Sequence, residues 1–244
     1  RVARLPSHHV MRDHDGYAVP SIARTAVDLV RGLDLPQALV VLDSASRRLV
    51  EAMVSEPRRR DYANPRLRQA AIEAIGKVIR ESRANGAARR VLGWVDPCRE
   101  SPAESLSIGH MHLAGLPIPR CQYPIRVNGQ VFYLDFYWEE ADLIGEVDGA
   151  GKYVDGHGII DEKEREQVLR DTGAGMVRWL GKEIAGRPGE VMNRVWRALA
   201  NAQPRPLLSG LGPGRSRGRA WVPLVAGWKR AVPGVNARIS RHRF

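Results

Sequence analysis

Asp135, Glu146 and Asp148 stand in a stretch that otherwise reads as apolar strand, residues 130–152, QVFYLDFYWEEADLIGEVDGAGK. Val, Ile, Tyr, Phe and Trp favour extended backbone, so two short strands are predicted on either side of a turn at 139–142. With the turn centred between Glu140 and Ala141, Leu134 faces Val147 and Trp138 faces Leu143 on one apolar side. On the other side Asp135 faces Glu146, with Asp148 two residues along the same strand. Directly opposed side chains have Cβ atoms roughly 5 Å apart, and like charges there repel. A cation between them removes that penalty. A hard divalent ion, Mg²⁺ or Mn²⁺, suits an all-oxygen donor set. The expected ligands are Asp135, Glu146 and the backbone carbonyl of Val147, with Glu104 contributing directly or through water. The bland alternative is a pair of solvent-facing carboxylates.

Such a site favours phosphoryl chemistry. The ion polarises a phosphoryl oxygen and turns a bound water into a nucleophile. The transition state gathers negative charge, yet the strand face holds three acids and no base, so a cation must come from elsewhere. Lys152 follows a Gly-Ala-Gly bend past Asp148 and is the first candidate; a surface lysine is the alternative. Arg165, three residues after Glu162 on one predicted helix, is the second; an intrahelical ion pair competes with that role. Gln122 opens a neighbouring strand and is placed to reach the same face, or simply to end the strand. Glu104 has a rival explanation too, as the acid of an SPAE capping box at 101–104. His110 and His112 point in different directions on a helix, and His157 lies in a Gly-flanked loop, so all three are expected to be bystanders.

The elements that position these residues divide the chain in three. Residues 1–95 read as a helical region. Ser21 is a plausible N-cap for a helix carrying Ile22, Ala26, Leu29 and Val30; further helices are predicted from Pro36, over 65–83 and over 87–95. Residues 96–203 read as a helix from Ser101 to about Gly115, a strand at 122–127, an Asn128-Gly129 turn and the central hairpin. A loop at 149–158, a helix at 161–171, a strand at 176–180 and an amphipathic helix at 188–200 follow. That order predicts a layered α/β core. Residues 204–244 mix Pro, Gly, Ser and Arg with no clear period and are expected to be irregular.

Charge follows the same division. The net charge is +11 over 244 residues, and nine basic residues with no acid fall in 204–244, leaving +2 for the rest. The basic tail is therefore expected to meet nucleic-acid phosphates, and DNA is the expected partner. Cys98 and Cys121 match no metal or redox spacing, as suits a reducing, cytoplasmic setting. No apolar run approaches the roughly 20 residues of a membrane span. The chain begins without Met, as a piece of a longer protein would.

Several runs together resemble one family: ESPAES at 100–105, GLPIPRCQ at 115–122, LDFYW at 134–138, GEVDGAGKY at 145–153, EKERE at 162–166 and MVRWL at 176–180. This is the actinobacterial group of endonuclease-domain proteins related to the very-short-patch-repair (Vsr-like) endonucleases, many of them called AbiEi-type antitoxins. RTAVDLVRGL and ALVVLDSASR resemble the helical region that precedes the nuclease-like core of that group. The resemblance implies a restriction-endonuclease-like core: helix, three-stranded antiparallel sheet, helix, strand, helix. It implies that Glu104, Asp135, Glu146 and Lys152 stand at motif positions, with Asp148 where other nuclease families carry Lys. The leading expectation is a Mg²⁺-dependent DNA endonuclease. The alternatives are a non-catalytic, DNA-binding antitoxin or transcriptional regulator, with a cognate toxin as partner, and a structural or partner-binding protein with a basic tail.

Overall fold

The computed structural model describes residues 5–82, 86–127, 129–148, 169 and 172–202. The chain forms two compact units, Arg1–Gly109 and His110–Phe244. The division falls inside one helix, Pro102–Ala114, whereas the sequence changes character at 95/96.

The first unit opens with a two-stranded antiparallel ribbon, β1 (Val10–Arg12) and β2 (Ala18–Pro20), in the mixed stretch ahead of the first predicted helix, within a region expected to be helical. Three-residue strands carry no readable period, and the turn between them makes the ribbon. Asp13 Oδ1 accepts the N–H groups of Asp15 (3.1 Å) and Tyr17 (2.8 Å), and Gly16 takes a left-handed φ of +86°. Five helices follow: α1 (Ile22–Leu29), α2 (Leu35–Met53), α3 (Arg59–Tyr62), α4 (Pro65–Glu81) and α5 (Gly86–Val91). Ser21, Asp34 and Asn64 cap α1, α2 and α4, accepting N–H bonds from Arg24, Gln37 and Arg66. The helices bury Val27, Leu39, Leu42, Ile75, Ile79 and Val91 completely or nearly so.

A buried ion pair fastens the segment after α5 to α2. Asp43 accepts the Asp96 N–H (2.8 Å) and the Arg99 guanidinium, and Arg99 also donates to the Trp94 carbonyl (2.7 Å). Burial pushes the Asp43 carboxyl up to about 6, against the opposing pull of Arg99. The long helix α6 (Pro102–Ala114) begins in this unit. At Gly109 a Cβ would stand 2.6 Å from the Pro36 Cα, so only glycine allows that approach to α2.

The second unit is built on a mixed four-stranded sheet, in the order β3 (Arg120–Val127), β4 (Gln130–Trp138), β5 (Leu143–Asp148), β6 (Gly175–Leu180). The first three strands run antiparallel, as expected, and β6 adds to the far edge parallel to β5. Two helices follow, α7 (Gly181–Gly186) and α8 (Pro188–Asn201). The sequence gives no sign of α7, whose six residues begin and end in glycine. Helix α8 buries Val191, Met192, Val195 and Leu199 along one stripe. One apolar cluster joins Ile125, Leu134, Tyr137, Ile144 and Leu169. The fold is thus mixed α/β. No helix among the described residues is long and apolar enough to cross a membrane. The predicted loop at 149–158, most of the predicted helix at 161–171 and the tail at 204–244 lie outside the described residues.

Candidate functional site

The register predicted for the central hairpin is the register found. Trp138 pairs with Leu143, Tyr137 with Ile144 and Phe136 with Gly145. A one-turn 3-10 segment, Glu139–Ala141, reverses the chain, and Asp142 closes it in the left-handed region at φ +45°. The Tyr137 hydroxyl holds that turn by donating to Asp142 Oδ1 at 2.8 Å. Burial and this acidic acceptor push the Tyr137 hydroxyl well above its usual range.

The β4–β5 ladder covers those three pairs and stops. Its last rung is packed by aromatic rings. A Cβ on Gly145 would meet Trp138 Cζ3 at 2.9 Å, Phe136 Cβ at 3.1 Å and Trp179 Cη2 at 3.2 Å. Phe136 and Trp179 stack with centroids 5.5 Å apart and planes 11° from parallel. A side chain at 145 would press into these rings, so glycine suits the position.

Beyond that rung Asp135 behaves differently from the sequence expectation. Asp135 and Glu146 are not a ladder pair, and neither are Leu134 and Val147. Instead Asp135 Oδ2 accepts the Val147 N–H at 2.9 Å, so the carboxylate takes the place of a strand carbonyl. The physical reason is competition: a short carboxylate two bonds from its own backbone is a stronger acceptor than the carbonyl it displaces. Asp135 Oδ1 accepts from Gln122 Nε2 at 3.2 Å, so the predicted reach of Gln122 towards this site is seen. Gln122 is buried and sits at φ +51°, between the pairs Cys121↔Phe136 and Tyr123↔Leu134. A left-handed glutamine costs on the order of 1 kcal/mol, and such strain concentrates at functional sites.

One carboxylate therefore joins three strands: Gln122 on β3, Asp135 on β4 and Val147 on β5. Glu146, next to Val147, is only 3% exposed, and Asp148 is half-buried on the same face of β5. A carboxylate as buried as Glu146 has to be matched by donors, a proton or a cation. Strand β5 runs on here beside β6, where Glu146 aligns with Arg178 and Asp148 with Leu180. Register neighbours share a face, so the half-buried Arg178 stands beside Glu146. Sequence reasoning passed over Arg178, because a short strand ahead of two glycine-bounded turns does not say which strand it will join.

Glu104 belongs to the first unit and forms the capping box of α6. Its N–H donates to Ser101 Oγ (3.2 Å), while its carboxylate accepts the Ser101 hydroxyl (2.8 Å) and the Glu100 N–H (3.1 Å). Lys152 and Arg165 lie outside the described residues. Asp135, Glu146, Asp148 and the Val147 carbonyl are all oxygen donors, the type that Mg²⁺ or Mn²⁺ takes, but the three carboxylates do not form a group whose ligand atoms all lie within 4.8 Å of one another. Each carboxylate oxygen has two lone pairs, so Asp135 can accept an N–H and still ligate.

Over 182 residues the chain is 29% identical to two uncharacterized proteins of Mycobacterium tuberculosis, MT2308 of strain CDC 1551 / Oshkosh and Rv2248 of strain H37Rv. The match takes in 74% of this chain and 61% of each relative, so the chain spans 61% of the length of the curated relatives it matches. No family model matches the chain. No solved structure matches it either.

Proposed function

We propose that the second unit is a restriction-endonuclease-like core that hydrolyses phosphodiester bonds in DNA, in the cytoplasm, with Mg²⁺ or Mn²⁺ as cofactor. The observation that carries this reading is the Asp135 carboxylate, lodged where the β4–β5 ladder stops and joined to Val147 and Gln122. A sheet that gives up backbone pairing to seat a carboxylate on the amide of Val147, next in the chain to the buried Glu146, brings acids towards one end of the ladder. Asp135, Glu146 and the Val147 carbonyl would hold the ion, and the ion, when bound, activates water and polarises a phosphoryl oxygen. Gln122 orients Asp135. Arg178 supplies the positive charge that the acidic face needs, in the role the sequence assigns to Lys152 or Arg165.

One observation favours a second reading. The Val147 and Gln122 hydrogen bonds give Asp135 a structural reason to exist; the resemblance, besides, puts Asp148 where other nuclease families carry a lysine. On that reading the core is an inactive, DNA-binding antitoxin or transcriptional regulator with a cognate toxin.

Nicking of supercoiled plasmid separates the two. With Mg²⁺ or Mn²⁺ the full chain should convert supercoiled to open-circular DNA, and Asp135→Asn should not. Plasmid shifted on a gel but never nicked, under either metal, would overturn the nuclease reading and support the regulator.

A further inference from the structure

A second cluster of ligand-type side chains lies in the first unit, within residues that the sequence reading left unassigned. His8 and His9 are consecutive residues of the 3-10 turn Ser7–His9, and Glu81 is the last residue of α4. His8 Nε2 stands 2.6 Å, and His9 Nε2 2.8 Å, from the same oxygen, Glu81 Oε2. The three potential ligand atoms all lie within 4.8 Å of one another. The two rings meet edge to face, with centroids 4.6 Å apart.

We propose that His8, His9 and Glu81 form a binding site for a borderline divalent transition-metal ion, Zn²⁺ by preference, which clamps the amino-terminal turn to the end of α4. Two imidazoles and a carboxylate are the donors that zinc takes, and they do not suit Mg²⁺. Both imidazoles converge on the one oxygen, so three donors of the right type already surround a common point. At ligand distances of about 2.0–2.1 Å a tetrahedral ion spaces its ligands about 3.3 Å apart, so the cluster must widen by about 0.6 Å. The side chains of His8 and Glu81 are 44% and 35% exposed and have room to do so. His9 is 1% exposed and supplies the fixed ligand. The carboxylate sits at the carboxyl end of α4, where the helix dipole favours a cation.

Arg24 opposes the ion. Its Nη1 lies 3.4 Å from His9 Nδ1, while Asp28 holds the guanidinium by bonds of 2.6 and 3.0 Å. The guanidinium is a fixed positive charge close to the ring that would ligate through Nε2. Removing the guanidinium should therefore tighten the site.

The test uses the untagged 244-residue chain, stripped with chelator and titrated with Zn²⁺ by calorimetry, with Co²⁺ absorption as a second readout. One zinc site is expected. His8→Ala and Glu81→Gln should each weaken it at least 10-fold with circular dichroism unchanged, and Arg24→Met should strengthen it several-fold. Asp135→Asn should leave it intact, which keeps this outcome independent of the nuclease reading. No zinc binding below millimolar, wild-type binding by His8→Ala, or unchanged affinity in Arg24→Met would each overturn the proposal. So would loss of the site in Asp135→Asn. His8→Ala is the primary variant because His8 is exposed, whereas replacing the buried His9 risks unfolding the unit.

Discussion

Asp135 gives its carboxylate to the amide of Val147, on a different strand, at 2.9 Å. The bond separates two roles that one residue can hold. Asp135→Ala leaves a half-buried N–H without its acceptor and should cost about 1–3 kcal/mol by denaturant unfolding. Asp135→Asn keeps one acceptor oxygen for the Val147 N–H, and a rotated Gln122 amide can accept from the new NH2, so it should stay within about 1 kcal/mol of wild type while the charge is lost. Nicking and Mn²⁺ affinity should fall in both variants. Cleavage surviving in Asp135→Asn would remove the carboxylate from the chemistry.

Arg178, in register with Glu146, is expected to act on the transition state. Arg178→Met should lower the nicking rate about 100-fold, the scale for losing one preorganised charged donor. Arg178→Lys should recover part of it. Metal affinity should stay the same or rise in the Met variant, because a like charge has been removed from beside the ligands. A merely structural arginine would instead lower Tm and leave the rate per folded molecule unchanged.

The pH dependence of stability should show the Glu183–Arg194 pair. Glu183 accepts from Arg194 at 2.8 Å and from the Leu180 N–H at 2.8 Å, tying the start of α7 to α8. Arg194 first, then the Leu180 amide, lower the Glu183 carboxyl to about 2. The folded state thus favours the ionised form. Its contribution is complete above the unfolded value of 4.5 and is lost as pH falls from there through about 2. The pair is partly exposed, so on the order of 1 kcal/mol is at stake. Melting scans at pH 5 and pH 2.5 should show a smaller acid-induced drop for Glu183→Gln than for wild type.

Gly109→Ala places a methyl group 2.6 Å from the Pro36 Cα. Backbone cannot yield as a side-chain tip can, so overpacking should destabilise the first unit by about 1–3 kcal/mol. Gly189→Ala, where nothing lies within 4 Å of the added Cβ, is the matched control and should be near neutral. Equal Tm values for the two variants would contradict the packing of α6 on α2.

Removal of residues 204–244 takes away nine positive charges and no negative one. Affinity for DNA of any sequence should fall about equally, and the slope of log affinity against log salt should flatten. Fluorescence anisotropy at two salt concentrations reads both. An unchanged slope would mean that the tail carries no DNA contacts.

What the sequence determined by itself is local. Ser21 announced its cap, Ser101 and Glu104 their capping box, and the strands beside 139–142 their register, because each depends on residues a few positions apart. The turn geometry at Asp142 then propagates along three rungs without needing any distant contact. Where contacts between distant residues compete, the pattern runs out. Extending the register one rung further predicts Asp135 opposite Glu146, but the Asp135 side chain takes the Val147 amide and ends the ladder. The alignment of Arg178 with Glu146 follows from β6 joining β5 in parallel, a choice of edge that no spacing within β6 encodes. His8 and His9 meet Glu81 across more than seventy residues, which only the packing of α1 and α4 around the amino-terminal turn brings about. Side chains far apart in the chain acquire a shared chemistry only when buried surface holds their backbones together, and the tertiary structure decides that.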